Sequence, residues 1–327
     1  MNILFLDSID KDTYGGMEEW IRLVGAGLHQ NGHNIYLAGR GKSKFLERVS
    51  ADNPEIKQIP LNISGDFNPA TIAKIYSEIK SKQIDIIVVN FNKDLRLGGL
   101  AAKLEKDCKV IWSVGLDITK NSLVHKVLTP KLVDGVIVPS QSLKDQITRF
   151  GYITSDQVEV IPIGIPEANL SFDNRTAREK VLEKFGLNEK AFICVTSGRF
   201  VDQKGHRYLI EAAPKIIEKC PEIVFLFLGD GQLKSELQTM IREQNLEKYF
   251  VLAGMLDTNN VAEILPGCDL MIHPSIEEPF GIAILEGMRA ELAVVASRVG
   301  GIPEVVVSMD FLILHVNMHM GVGTVIM

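Results

Sequence analysis

The chain has 327 residues, and single hydrophobic cores stop growing at about 250–300 residues, so two domains are expected. Hydrophobic residues make up 46% and charged residues 23%, as in an ordinary soluble globular protein. A net charge of −6 and a pI near 5.7 argue against a dedicated nucleic-acid binder, which would carry a basic face. Residues 1–166 hold 20 Lys+Arg against 19 Asp+Glu, whereas residues 167–327 hold 15 against 22. The N-terminal half is therefore the part better suited to approach an anionic membrane or acceptor, although a solvated surface of mixed charge explains the same numbers. Cys108, Cys194, Cys220 and Cys268 form no CxxC pair, which fits a reducing compartment and gives neither a disulfide framework nor a zinc site. The N-terminal MNILFLDS has no basic region or cleavage site of a signal peptide. The most apolar segment, Val305 to Met327, is interrupted by Asp310, His315, Asn317 and His319, so no membrane span is expected. A cytoplasmic protein follows, at most peripheral to a membrane.

In chain order, Ile3–Leu6, Ile35–Ala38, Ile84–Asn90, Val110–Val114 and Val136–Val138 read as buried strands, short and rich in Val and Ile. Helical patterns lie between them. Met17, Trp20, Ile21, Val24 and Leu28 share one helical face, and Gly32 closes that helix. Such a βαβ series implies a parallel sheet with right-handed crossovers. The segment Val158–Pro166, punctuated by Pro162, Gly164 and Pro166, reads as a hinge. After the polar stretch Asn169–Asp173 and a charged helix near Arg175–Phe185, a second series begins. Its strands are Phe192–Ser197, Ile223–Gly229, Phe250–Ala253, Leu270–His273 and Val294–Ser297, with helices near Gly205–Lys219, Gln232–Gln244, Asn259–Leu265 and Phe280–Arg289. The expected architecture is α/β: two Rossmann-like, doubly wound parallel-sheet domains, residues 1–166 and 167–327, facing each other across a cleft.

In open parallel sheets ligands sit at the C-terminal ends of the strands. Strand Phe192–Ser197 runs into Gly198-Arg199-Phe200 and Asp202-Gln203-Lys204-Gly205, where Arg199 and Lys204 could both reach a pyrophosphate. Taken alone, each is more often a solvated surface cation; the pair at one strand-to-helix loop favours function. Gly229, Asp230 and Gly231 follow the next strand, glycines that allow close approach to a ligand or simply form a tight turn. Strand Leu270–His273 ends in His273-Pro274-Ser275, then Glu277-Glu278-Pro279-Phe280-Gly281-Ile282 and a helix carrying Glu286. That helix start offers backbone N–H groups to a phosphate or sugar, with Glu278 and Glu286 at different depths; Pro and acids there are also plain capping chemistry. Gly15-Gly16, ahead of the first helix, resembles a phosphate nest but lacks G-x-G-x-x-G, so no dehydrogenase fingerprint is present.

Taken together, Gly15-Gly16, Gly198-Arg199-Phe200 with Lys204-Gly205, Gly229-Asp230-Gly231, His273-Pro274-Ser275, the E-x7-E pair Glu278/Glu286 around Pro279-Phe280-Gly281, and Gly300-Gly301-Ile302-Pro303-Glu304 resemble the retaining glycosyltransferase family 4, of GT-B fold. The resemblance covers nearly the whole chain to about Val307. It implies a nucleoside-diphosphate-sugar donor, UDP- or GDP-linked, with no other cofactor and no required metal, and transfer with retained anomeric configuration to a glycan, lipid or small-molecule acceptor. The keywords it carries are those of polysaccharide or lipopolysaccharide biosynthesis. It makes residues 1–166 the acceptor side and 167–327 the donor-binding domain. Carried over by position, Arg199 and Lys204 stabilise the departing pyrophosphate, and backbone amides of Phe280, Gly281 and Ile282, with Gly16, contact the donor. Glu278 then binds sugar hydroxyls and Glu286 the ribose. The resemblance implies that protein groups, and no divalent cation, offset the charge that develops on the diphosphate.

Three departures from the family pattern stand out. No His follows the strand that ends in Trp112-Ser113-Val114-Gly115-Leu116-Asp117, and the hinge reads Pro162-Ile163-Gly164 where the family has P-N-G. After Glu304 the family continues with a D-G-x-x-G turn and closing helices, whereas here an apolar, Met-rich tail runs to Met327. The expectation is a truncated or altered C-terminal domain of lowered stability and reduced activity. Two further functions fit the same residues: a GT-B sugar-nucleotide epimerase, and a non-catalytic sugar-nucleotide-binding protein.

Overall fold

The computed structural model describes residues 1–10, 12, 15–105, 107–166, 174–306 and, by their backbone, 312–314. The chain divides into two compact units, Met1–Ile163 and Gly164–Met327. The first contains strands β1 Asn2–Asp7, β2 Asn34–Arg40, β3 Lys57–Leu61, β4 Ile86–Val89, β5 Lys109–Ser113, β6 Gly135–Val138 and β7 Val158–Val160. Its helices are α1 Gly16–Gln30, α2 Lys44–Asp52, α3 Pro69–Lys82, α4 Asn92–Lys103, α5 Leu123–Leu132 and α6 Gln141–Thr148. The second contains β8 Phe192–Ser197, β9 Ile223–Leu228, β10 Phe250–Gly254, β11 Leu270–His273, β12 Ala293–Ser297 and β13 Leu312–Leu314. Helices α7 Asn174–Phe185, α8 His206–Lys219, α9 Lys234–Glu243, α10 Thr258–Ile264, α11 Ile282–Arg289 and α12 Ile302–Val305 accompany them.

Both sheets are parallel and doubly wound. The first has the order β3-β2-β1-β4-β5-β6-β7 and the second β10-β9-β8-β11-β12-β13. In each, the chain builds outward from a central strand to one edge and then restarts on the other side. The switch points therefore fall between β1 and β4 and between β8 and β11. At the first, Leu6 pairs with Val89; at the second, Met271 pairs with Val195.

Side-chain alternation explains the continuous apolar runs. On β1, Leu4 and Leu6 enter one apolar layer while Ile3 and Phe5 enter the other. On β9, Val224, Leu226 and Leu228 face one layer, and Ile223, Phe225 and Phe227 face the opposite one. A strand covered on both faces needs no polar residues in its middle. Helix α1 seals the second layer of the first sheet with fully buried Ile21 and half-buried Trp20, Val24 and Leu28, as its 3.6-residue spacing predicts.

Three strands escape the sequence pattern. β3 contains Pro60, which pairs with Gly39 at a sheet edge, where a residue without an N–H is tolerated. β7 occupies Val158–Val160, the first three residues of the segment expected to be a hinge, and pairs with β6. β13 lies in the tail beyond Glu304 and pairs with β12 through Ala296–Ile313. The polar stretch Asn169–Asp173 and the rest of the tail from Val307 lie outside the described residues. No helix among the described residues is long and apolar enough to cross a membrane.

Candidate donor site

The switch point of the second sheet brings together the loops that leave β8 and β11. Gly198–Gly205 passes through a short 3-10 turn, Asp202–Lys204, before α8 begins at His206. Pro274–Gly281 leads from β11 into α11. The two loops are stitched by backbone: the Ile276 N–H donates to the Gln203 carbonyl at 2.9 Å. Gly205, at φ +66°, backs onto Pro274 so closely that a Cβ there would lie 2.0 Å from the Pro274 carbonyl oxygen. Only glycine meets both demands.

Glu278 is the centre of the arrangement. Its Oε2 accepts from Lys204 Nζ at 2.6 Å, lies 2.7 Å from His273 Nε2, and accepts from Ser275 Oγ at 3.3 Å. A carboxylate only accepts, so His273 Nε2 carries the proton of that bond; its Nδ1 is buried without a partner among the described residues. Ser275 Oγ also sits 3.1 Å from His273 Nε2. Burial pushes the Glu278 carboxyl up, but the His273 hydrogen bond and the Lys204 charge outweigh it and hold it at about 2. Its other oxygen, Oε1, makes no hydrogen bond among the described residues.

His206 lies just behind Lys204. It is 2% exposed, with neither ring nitrogen bonded among the described residues, and packs edge-on against Phe200 at 4.9 Å and Phe227 at 5.2 Å. Burial first, then the His273 and Lys204 charges, lower it to about 4. The ring is thus neutral and acts as an apolar wall.

Of the residues singled out from sequence, Lys204 and Glu278 are in direct contact. Arg199 is exposed on the same loop, five residues upstream. Asp230 instead pairs with Lys234 Nζ at 2.6 Å and accepts from the Gly231 N–H at 2.8 Å. The flanking glycines serve loop packing: a Cβ on Gly229 would meet the Gly198 carbonyl oxygen at 1.9 Å, and one on Gly231 the Phe200 oxygen at 2.6 Å. Phe280 is buried, Gly281 caps α11 at φ +107°, and Ile282 opens the helix. Glu286 lies half-buried in its second turn. His273 and Ser275 belong to a motif visible in sequence, without an assigned role; His206 was not singled out, and its only signal is its place directly after Lys204-Gly205. Gly300 and Gly301 brace the site from below: the Gly301 N–H donates to the Glu278 carbonyl at 2.9 Å.

In the first unit, Gly15 caps α1, and its N–H donates to Glu18 Oε2 at 2.6 Å, so this glycine turn is tied down by the helix that follows it. At that sheet's switch point sequence reasoning missed a buried acidic group. Asp7, Glu18 and Asp94 are 1%, 2% and 0% exposed. Burial, reinforced by the charges of Asp94 and Glu18, raises Asp7 well above the ordinary value of 3.8; burial raises Asp94 to about 6. The folded chain therefore keeps a proton that unfolded Asp7 releases near 3.8, and this carboxyl costs stability increasingly as pH rises from there to its folded value. Asp7→Asn, which retains the Oδ1 bond from the Ile9 N–H, should stabilise at neutral pH by on the order of 1 kcal/mol. The gain should fade as the pH approaches the ordinary carboxylate value. Melting curves for both proteins across that range decide it; a pH-independent difference would contradict the account in which folded Asp7 retains its proton.

Both units match known proteins. Residues 14–169 match the family Glycosyltransferase Family 4, and residues 177–317 match Glycosyl transferases group 1. An uncharacterized glycosyltransferase of Methanocaldococcus jannaschii is 30% identical over 175 residues, 52% of this chain and 44% of that protein. The UDP-Gal:alpha-D-GlcNAc-diphosphoundecaprenol alpha-1,3-galactosyltransferase of Escherichia coli is 28% identical over 254 residues, 73% of this chain and 64% of that protein. The chain thus spans less than two thirds of the length of these curated relatives. Among solved structures, a glycosyltransferase from Rickettsia africae superimposes with a TM-score of 0.81 at 22% identity, covering 97% of this chain and 84% of that one. Anabaena HepE in complex with UDP-glucose gives 0.80 at 21% identity, covering 96% and 85%.

The two Rossmann-like sheets are those of the GT-B fold. The matched segments, the relatives and that fold support a GT-B glycosyltransferase of the family 4 type.

Proposed function

We propose that the chain transfers a sugar from a nucleoside-diphosphate-sugar, UDP- or GDP-linked, to a glycan, lipid-linked or small-molecule acceptor, with retention of configuration and without a required metal ion. The observation that carries this reading is the convergence of Lys204, His273 and Ser275 on Glu278 at the switch point of the second sheet. A diphosphate leaving group gains negative charge as the glycosidic bond breaks, and preorganised positive groups lower that barrier. Lys204 has three N–H donors and one is committed to Glu278, so two remain for phosphate oxygens. Arg199 adds a second cation, and the backbone N–H groups of Phe280, Gly281 and Ile282 open α11 toward the same loops. Glu278 Oε1 is left to accept from a sugar hydroxyl, and Glu286 would hold the ribose. The first unit would bind the acceptor, and Gly15 and Gly16 would serve as phosphate contacts through their backbone. The unpaired cysteines support a cytoplasmic site of action.

A thermal-shift screen over UDP-, GDP- and ADP-sugars tests donor binding: a ligand at about 100 times its Kd adds roughly 2.7 kcal/mol of stability. The cognate donor should raise the Tm of the natural sequence and fail to do so in the variant carrying both Arg199→Ala and Lys204→Ala. Transfer to acceptor extracts, with EDTA present and the product anomer read by NMR, tests the reaction. A 2-epimer formed from the donor alone would replace this reading with epimerisation; tight binding without turnover would replace it with a binding role. Undiminished affinity in the double variant would remove the site.

A further inference from the structure

Ten large apolar side chains are markedly exposed among the described residues, and three of them, Leu123 at 77%, Val124 at 55% and Val127 at 47%, lie within five positions on one helix, α5. At about 100° per residue these three span an arc of roughly 100° on the helix surface. The opposite side already does what a packing face should: Thr129 and Leu132 are buried, and Leu128 packs against the core of the first sheet. Helix α5 is therefore apolar on two faces, one of which meets solvent. A solvated helix ordinarily carries polar residues there, and contiguous exposed apolar surface marks an interaction site.

The residues around that face indicate what covers it. Lys126 lies to one side of the arc, Lys131 continues the same face one turn beyond Val127, and Lys120 precedes the helix; all three are exposed. From Ile118 to Val133 the chain has no Asp or Glu. His125 is held at the inner border, its Nδ1 2.6 Å from Ser122 Oγ and its Nε2 3.5 Å from Arg96 Nη1. Arg96 lies over the ring of Phe67, 5.6 Å from its centroid, and Phe67 is a further exposed apolar residue at this border. The carboxylate there, Asp66, is ion-paired with Arg96. Branched aliphatic side chains with no hydrogen-bonding groups, with lysines beside and beyond them on the same surface, match the interface of a bilayer: hydrocarbon below, anionic phosphates at the level of the ammonium groups. A protein partner of matching chemistry would have to be acidic around an apolar centre, and nothing in the chain favours that special case.

We propose that the outward face of α5, centred on Leu123, Val124 and Val127 and flanked by Lys120, Lys126 and Lys131, docks the protein peripherally onto an anionic lipid bilayer. The helix is ten residues long, far too short to span, so the contact is a lateral one, with the side chains dipping into the headgroup layer. Docked in this way, the chain would meet acceptors held in lipid. The surface belongs to the first unit and shares no residue with the donor site, and its test contains neither donor nor acceptor, so either reading can fail while the other holds.

The test is flotation of the full chain with vesicles of phosphatidylcholine alone and of phosphatidylcholine mixed with phosphatidylglycerol. Binding should require the anionic lipid and weaken as salt is raised. Each of Lys126→Gln and Lys131→Gln should weaken it about fivefold. Leu123→Ser combined with Val127→Ser should weaken it by more than about tenfold, with an unchanged melting curve because both side chains are exposed. Met255→Ser, which removes an equally exposed apolar residue in the second unit, should change nothing. Three results would overturn the proposal: equal binding to neutral and anionic vesicles, equal binding by the wild type and the Leu123/Val127 variant, or no vesicle binding together with a dimer that the same variant dissociates. The last would assign the face to a second copy of the chain.

Discussion

Glu278→Gln is expected to lower turnover of the nucleoside-diphosphate-sugar by roughly 10²–10³-fold, the range seen when one preorganised stabilising group is lost. The amide is nearly isosteric, so the loss would come from charge and donor geometry. Oε2 now gathers an ammonium, an imidazole N–H and a hydroxyl at 2.6, 2.7 and 3.3 Å. A neutral amide cannot hold all three, and the ammonium is the group free to swing into solvent. Lys204 would then no longer be aimed where the diphosphate departs, and misplacement on the scale of an ångström is costly in rate. This account requires strong non-additivity. Lys204→Ala alone should cost about as much as Glu278→Gln, and adding it to Glu278→Gln should cost little more, because the second mutation removes a group already displaced. Fully additive losses would mean that the two residues act separately. The same carboxylate has a signature in stability. Its folded value, about 2, is below the ordinary 4.5, so its stabilising contribution is complete above 4.5 and is lost as pH falls through about 2. The gap in Tm between the natural sequence and Glu278→Gln should be constant near neutrality and narrow in acid.

Why Lys204 and Glu278 were visible in the sequence, and their companions were not, follows from how each is held. Both are charged residues beside glycines at the ends of apolar runs, and the sheet carries such run ends to the switch point whatever the details of packing. β8, β9 and β11 are legible for the same reason: burial on both faces leaves an unbroken apolar segment with polar punctuation. β3 is hidden because Pro60 and the flanking Lys57 and Gln58 are what an edge strand tolerates and what a loop also contains. β7 is hidden by the prolines just downstream of Val160. His206 is a through-space result, since nothing local distinguishes a histidine against two phenylalanines from one in solvent. Asp7 and Asp94 lie in elements 87 positions apart, and only the adjacency of β1 and β4 makes them neighbours. The glycines were legible as special positions but not in purpose: Gly229 and Gly231 read equally as ligand-contact or turn residues, and the fold uses them where loops touch.

Gly300 gives the sharpest case of that distinction. It has φ +53°, and a Cβ there would fall 2.0 Å from the Glu278 carbonyl oxygen, which is itself hydrogen-bonded to the Gly301 N–H at 2.9 Å. Gly301 is equally confined, a Cβ there meeting the Pro279 oxygen at 2.3 Å. The loop after β12 is thus pressed directly under the backbone that carries Glu278, with no side chain between. Gly300→Ala should destabilise by two separable amounts: about 1 kcal/mol for placing a non-glycine residue in the left-handed region, and a further contribution, about 2 kcal/mol or more, for the backbone displacement that the clash forces. Gly151→Ala isolates the first amount, because Gly151 has φ +73° with nothing within 4 Å of an added Cβ. Urea denaturation of the three proteins measures the difference. The displacement must also carry Glu278 away from Lys204, so Gly300→Ala should lose the donor-induced rise in Tm while Gly151→Ala keeps it. If both alanines cost the same and both proteins still respond to donor, the loop does not support the site, and the pressed contact has no energetic consequence.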